Sequence, residues 1–156
     1  MSGEGLRFFA DSMLGKLARW MRTIGCDVEY ERSIEDDALI DRALREDRIV
    51  LTRDTLLVMR RRLKGRSFFV ESPVVAGQLR AVAERFGLDS TGFLTRCLRC
   101  NAVLERAGKE AVKERVPPYV YQTQDGFSVC PECKRVYWAG THREGMVREI
   151  ERMLKG

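Results

Sequence analysis

Two pairs of cysteines constrain this chain more than any other feature: Cys97-Leu98-Arg99-Cys100 and Cys130-Pro131-Glu132-Cys133, with 29 residues between them. Each CxxC turn can deliver two thiolates to one side of a metal ion, and two such turns complete the tetrahedron that Zn²⁺ takes. The intervening length suits a pair of hairpins, the arrangement of a zinc ribbon. Disulfides would need an oxidising compartment, and MSGEGLRFF lacks the basic start and long apolar run of a signal peptide. A redox dithiol is a further alternative, but two matched turns flanking a hairpin-rich segment read as structural. A closed four-cysteine site leaves no open position for a substrate water, so the predicted zinc is a structural one. Cys26, the remaining cysteine, falls on a predicted strand and reads as a small buried side chain.

With 156 residues, the chain can hold one domain of ordinary size with a small appendage. A composition that is 44% hydrophobic and 33% charged is that of a soluble globular protein. No apolar stretch approaches the roughly 18–20 residues of a membrane helix, so a cytoplasmic protein without membrane contact is expected. The formal charge of +5 is unevenly spread: residues 1–94 carry 16 Lys and Arg against 15 Asp and Glu, residues 95–156 carry 12 against 8. A basic tail hints at an anionic partner.

Before the cysteines, strand and helix patterns trade places. Leu6–Ala10 is strand-like, and Met13, Leu14, Leu17, Trp20, Met21 and Ile24 keep helical spacing up to Gly25. Cys26–Tyr30 resumes an extended alternation, and Ser33–Glu46 is helical again through Leu39, Ile40, Ala43 and Leu44. Ile49–Leu51 and Ser67–Val70 are the next strands, and Val74–Phe86 is a helix ended by Gly87. This order predicts an α/β fold, a parallel sheet with helices on both faces. Near Thr95 the character changes: Pro117-Pro118 breaks the chain, and Tyr119–Thr123 and Phe127–Val129 suggest hairpin strands. Arg143–Leu154 has helical spacing. Two domains are expected, an α/β unit over 1–94 and a cysteine module with a final helix over 95–156.

In a parallel sheet, ligand sites form beyond the carboxyl ends of strands. Asp11 follows the first strand and Asp54 the third, while Asp36-Asp37 open the helix between them. Carboxylates gathered there would repel one another unless a divalent cation sat among them, and oxygen ligands of this kind suit Mg²⁺ or Mn²⁺. Each also has a structural explanation. Asp54 can cap a helix, and Asp36 and Asp37 are what a helix start prefers electrostatically. Other chemistries are excluded by composition. His142 is the single histidine, so a paired-histidine mechanism is not available, and a Ser-His-Asp triad would have to recruit it from the cysteine module. No GxxxxGK[ST] or GxGxxG phosphate loop occurs.

Four segments, ADSMLGKLARWMRTIGCDV, DDALIDRALREDRIVLTRDTLL, CLRCNAVL and CPECKRVYWAGTH, together resemble the Mut-seven C-terminal RNase family, from about Leu6 to Met153. That resemblance implies a PIN-like metal-dependent nuclease domain followed by a zinc ribbon. By position, Asp11 matches the acid after the first strand, Asp54 the acid of the T-x-D turn and Asp36 the middle acid, with Asp37 as its neighbouring candidate. The implied activity is endoribonucleolytic, on RNA that is single-stranded or structured. A non-catalytic RNA-binding protein, or an adaptor whose ribbon docks another protein, are the alternatives. An acidic site must recruit a polyanion through basic groups around it. The candidates are Lys16 and Arg19 on the first helix, Arg53 in the turn, and Arg60, Arg61, Arg62, Lys64 and Arg66 beyond it. Arg96, Arg99, Lys134 and Arg135 flank the cysteines, and Tyr137 and Trp138 are able either to stack bases or to pack the ribbon.

Overall fold

The computed structural model describes residues 5–138, 140 and 143–156. Residues 1–4 and His142, weighed above, lie outside the described residues. The chain opens with β1 (Arg7–Ala10), a single 3₁₀ turn (Ser12–Leu14) and α1 (Gly15–Thr23). Then come β2 (Asp27–Tyr30), α2 (Asp36–Arg45), β3 (Ile49–Thr52), the one-turn α3 (Thr55–Val58), β4 (Ser67–Phe69) and α4 (Val75–Phe86). The four strands form a parallel sheet in the order β2-β1-β3-β4. All four therefore point their carboxyl ends at one edge, with β1 and β3 as the central neighbours.

Alternation along the strands decides which helix covers which face. Phe8, Ala10, Val28 and Leu51 face a cluster built with Leu17, Ala18 and Met21 of α1 and Leu79 and Val82 of α4. The intervening Phe9 and Val50 face the other way, onto Leu39, Ile40 and Ala43 of α2, Leu57 of α3 and Leu63. Both faces are covered, as an all-parallel sheet requires. The helix ends obey the expected glycines: Gly87 adopts φ +70° after α4, and Gly25 adopts φ +96° just past α1. A side chain at Gly25 would also meet the Gly92 carbonyl oxygen at 2.5 Å, so this position admits only glycine.

The cysteine module holds an antiparallel sheet of β5 (Glu105–Ala107), β6 (Phe127–Val129) and β7 (Val136–Tyr137). A 3₁₀ stretch (Lys109–Arg115) and α5 (Pro118–Thr123) lie between β5 and β6. The reading of Tyr119–Thr123 as a hairpin strand is thus corrected. Pro118 occupies the first turn of α5, where a missing amide hydrogen costs nothing, and the apparent alternation is one helical turn whose Val120 is buried. Likewise α2 begins at Asp36 rather than Ser33, and Met13–Ile24 is a 3₁₀ turn leading into a shorter α helix. The final helix α6 (Arg143–Lys155) does not stay with the cysteines. Its Ile150 and Met153 enter the same apolar cluster as α1 and α4. Among the described residues no helix is long and apolar enough to cross a membrane.

Candidate active site and cysteine centre

Asp11 leaves β1 almost fully buried, at 5% exposure. Its Oδ1 accepts the Ser12 amide at 2.7 Å and caps the 3₁₀ turn. Its Oδ2 accepts the Thr52 hydroxyl at 2.8 Å. Thr52, the last residue of β3 and fully buried, in turn accepts the Asp54 amide at 2.9 Å. One hydroxyl thus joins the exits of the two central strands and fixes the spacing of both acids. Sequence reasoning passed over Thr52. The usable signal was a hydroxyl two positions before the carboxylate, at a strand end beside another acidic exit. Thr52→Val keeps the shape but leaves a buried carboxylate oxygen and an amide without a partner. We expect it to cost about 1–3 kcal/mol, read as a lower denaturation midpoint.

Asp54 has both of the roles weighed for it in view. Its Oδ1 caps α3, accepting the Leu56 amide at 2.8 Å and the Leu57 amide at 3.3 Å. Its Oδ2 has no hydrogen bond among the described residues, and the same holds for both oxygens of Asp36. Partial loss of water, followed by the charges of Asp11 and Asp54, raises the Asp36 carboxyl above its ordinary value. Asp37, one position on, is turned to Arg60 at 2.6 Å, and that guanidinium holds it below its ordinary value.

A carboxyl whose folded pKa is raised binds more protons in the native state than in the unfolded chain. In the metal-free protein, the stability linked to Asp36 is present at low pH and lost as pH rises through the folded pKa. Asp36→Asn should therefore raise the metal-free melting temperature slightly near neutral pH, a small effect because the group is well solvated. Added Mn²⁺ should reverse that ranking in the same melting experiment.

Carboxylate oxygens are the ligand type that a hard divalent cation takes, but among the described residues Asp11, Asp36 and Asp54 do not bring three oxygens within 4.8 Å of one another. The acids come from three elements, and the oxygens of Asp11 and Asp54 are already oriented by hydrogen bonds on their other lone pairs, as metal-bound carboxylates usually are. Among the described residues the carboxylates do not converge as tightly as the cysteines do.

The four cysteines are brought together: one ligand atom from each of Cys97, Cys100, Cys130 and Cys133 lies within 4.8 Å of the others. The Cys97 and Cys133 sulfurs are 3.7 Å apart. A tetrahedral Zn²⁺ with bonds of about 2.3 Å needs sulfurs about 3.8 Å apart, so the set could hold a metal such as zinc. The two CxxC turns repeat one geometry. The Cys100 amide donates to Cys97 Sγ at 3.3 Å and the Cys133 amide to Cys130 Sγ at 3.4 Å. The next residue in each turn, Asn101 or Lys134, takes positive φ, +67° and +65°. Backbone hydrogen bonding, chiefly at Arg135, draws the Cys133 thiol down to about 7, whereas burial and then the neighbouring cysteines push Cys100 up to about 12. Four thiolates cannot share this volume without a cation. Cys26 stands apart, its thiol pushed up to about 12 by burial.

Two buried polar residues tie this module to the α/β body, and neither was singled out from sequence. Arg22 of α1 donates to the Val28 carbonyl at 2.9 Å and to the carbonyls of Leu98 and Arg99 inside the first CxxC turn, at 2.9 and 3.3 Å. Asn101 accepts the Val28 amide at 3.0 Å, satisfying the edge of β2, and donates to Asp27 at 2.7 Å. Neither pairing leaves a local signal, since the partners lie more than 70 positions apart.

The predicted RNA-binding cations are placed unequally. Arg60, Arg62 and Arg66 pair with Asp37, Asp41 and Asp47, whereas Arg61 and Lys64 carry no ion pair among the described residues. Arg53 donates to the carbonyls of Val70 and Glu71 and steadies the end of β4. Lys16 and Arg19 are exposed on α1. Trp138 is half-buried against Phe127, ring centroids 6.4 Å apart, in the small apolar cluster of the cysteine module. Tyr137 places its hydroxyl 3.2 Å from Cys97 Sγ and accepts the Leu98 amide at 3.1 Å.

A mixed α/β body with acids at the carboxyl edge of its parallel sheet, followed by a four-cysteine centre, defines the class. The chain belongs to the Mut7-C RNAse domain family, whose model matches residues 6–150. A search of curated proteins returned no match.

Proposed function

We propose that the chain is a PIN-like, metal-dependent endoribonuclease. Its nuclease unit spans 1–94, and its zinc-bearing module spans 95–156. Asp11, Asp36 and Asp54 would hold Mg²⁺ or Mn²⁺, and Cys97, Cys100, Cys130 and Cys133 a structural Zn²⁺. The observation that carries the reading is the pair of neighbouring strand exits coupled through Thr52, with Asp36 within reach of their charge. The family supports a nuclease acting on RNA. Four reduced thiolates suit a reducing, cytoplasmic setting.

When bound, the divalent ion would activate a water and neutralise charge developing on the phosphate. The chain's own residues do the positioning. The Ser12 amide and Thr52 hydroxyl hold the Asp11 carboxyl group at the exit of β1, and the same Thr52 hydroxyl accepts the Asp54 amide. The α3 amides fix one Asp54 oxygen, and the other has no hydrogen bond among the described residues. Lys16, exposed on the first turn of α1 just beyond Asp11, can meet a phosphate oxygen of the substrate.

A second reading, RNA binding without cleavage, is favoured by one observation: Asp11 and Asp54 each cap a turn and so have structural work without a metal. Incubation with single-stranded RNA separates the two. Cleavage that stops in EDTA and returns on adding Mg²⁺ or Mn²⁺, with zinc content unchanged, supports the nuclease. RNA bound but left intact with every divalent ion supports the second reading.

A further inference from the structure

Between α1 and the cysteine turns lies a cleft of about 400 Å³ lined by Arg19, Leu98, Arg99, Arg135 and Tyr137. Three guanidiniums border it, and no acidic side chain does. Among the described residues none of the three forms an ion pair, in contrast to Arg60, Arg62 and Arg66, which α2 and the turn after it neutralise. Unpaired arginines lining one cleft together with a tyrosine match a phosphate beside an exposed base. The ring of Tyr137 is held at its hydroxyl end by the Leu98 amide, so its orientation is set in advance.

These arginines have another conceivable task, offsetting the charge of a zinc tetrathiolate. Among the described residues, however, no guanidinium of Arg19, Arg99 or Arg135 donates to a sulfur; the sulfurs meet backbone amides, those of Cys100, Cys133 and Arg135, and the Tyr137 hydroxyl. A tetrathiolate zinc carries −2 and the three arginines +3, so the cleft stays cationic even when the metal is counted.

We propose that this cleft binds the phosphate backbone of single-stranded RNA, as an exosite that holds the strand next to the acidic edge. The proposal rests on the nuclease reading for its substrate. Arg19 leads back along α1 to Lys16, three residues away and on the same exposed face, and Lys16 adjoins the turn that follows Asp11. The cations therefore form a track from the cysteine turns to the carboxyl edge of the sheet. The cluster after β3 is secondary because Arg60, Arg62 and Arg66 are paired within the protein.

The test is fluorescence anisotropy of a labelled single-stranded oligouridylate bound to full-length Asp11→Asn protein, so that affinity is read without cleavage. Combining Arg19→Gln, Arg99→Gln and Arg135→Gln should weaken binding at least tenfold. It should also reduce the slope of log affinity against log salt by about 2, since each lost contact on a single strand contributes roughly 0.7. Arg106→Gln, Arg115→Gln and Arg152→Gln, which remove the same charge elsewhere, should change affinity no more than about twofold if the contacts are local rather than a net-charge effect. Arg→Lys at the three cleft positions should restore much of the salt slope. Zinc content and melting temperature are followed in every variant. An unchanged slope in the triple variant overturns the proposal, as does zinc loss with undiminished RNA affinity. Equal arginine-dependent affinity for duplex RNA overturns its single-strand part. If the cleft binds RNA but the wild-type protein cuts nothing with any divalent ion, the nuclease reading falls and the exosite stands. Normal cutting and binding by the triple variant gives the reverse.

Discussion

Replacing Cys130 with serine should unfold the β5–β7 sheet and also lower the melting temperature of the α/β body. The sheet is too small to stand alone: its strands have three, three and two residues, and its core is Val112, Val116, Val120 and Phe127. A structural zinc held by the four cysteines would contribute about 10–16 kcal/mol, as in peptide-sized modules, so losing one thiolate would remove most of what holds the module together. The damage spreads through named contacts. With the first CxxC turn disordered, buried Arg22 loses the carbonyls of Leu98 and Arg99, and the Val28 amide loses Asn101. A buried cation left with fewer partners costs several kcal/mol, which in a chain of this size is a drop of about ten degrees. Zinc analysis with thermal melts followed by near- and far-ultraviolet circular dichroism reads both effects. A zinc-free Cys130→Ser protein that melts like wild type would contradict this view of the module.

Loss of catalysis without loss of fold is the expected result for Asp11→Asn and Asp54→Asn. Asparagine caps helices about as well as aspartate, so α3 keeps its start when Asp54 is changed. At Asp11, the asparagine carbonyl can still accept the Ser12 amide, and only the Thr52 contact must reorganise. What disappears is the charge that holds a cation, and activity should fall by at least ~10²-fold, the scale of several kcal/mol of metal-derived charge stabilisation. Asp36→Asn should follow them. Asp37→Asn should not, because its carboxylate is taken up by an exposed, solvent-screened pair with Arg60 to the side of the site. Rates of RNA cleavage with matched melting curves check all four.

The parts of the fold that were legible are those fixed by local physics. Apolar spacing and the stops at Gly25 and Gly87 outlined the alternating body, and the two CxxC turns announced their own convergence. Misread segments had the right residues for the wrong reason: Tyr119–Thr123 alternates, yet Pro118 starts a helix there. In the site, Asp11 and Asp54 were visible because strand ends in a parallel sheet share an edge. Their coupling through Thr52 was not visible, because it depends on the β1–β3 register. Nor could sequence tell the neutralised arginines from the free ones. Arg60, Arg62 and Arg66 find their partners 19 to 23 positions upstream, across a helix, while Arg99 and Arg135 meet Arg19 only when the module docks on α1.

RNA cleavage by this chain is proposed to need a metal held by the aspartates and separate from the four-cysteine centre. This requirement is tested most directly by measuring single-stranded RNA cleavage against Mn²⁺ concentration, for wild-type and Asp54→Asn proteins of equal zinc content. The expected result is a saturable rise in rate for the wild type, abolished by EDTA, and a flat response from Asp54→Asn at every Mn²⁺ concentration. Wild-type rates that persist in EDTA, or an Asp54→Asn curve that overlays the wild type, would contradict it.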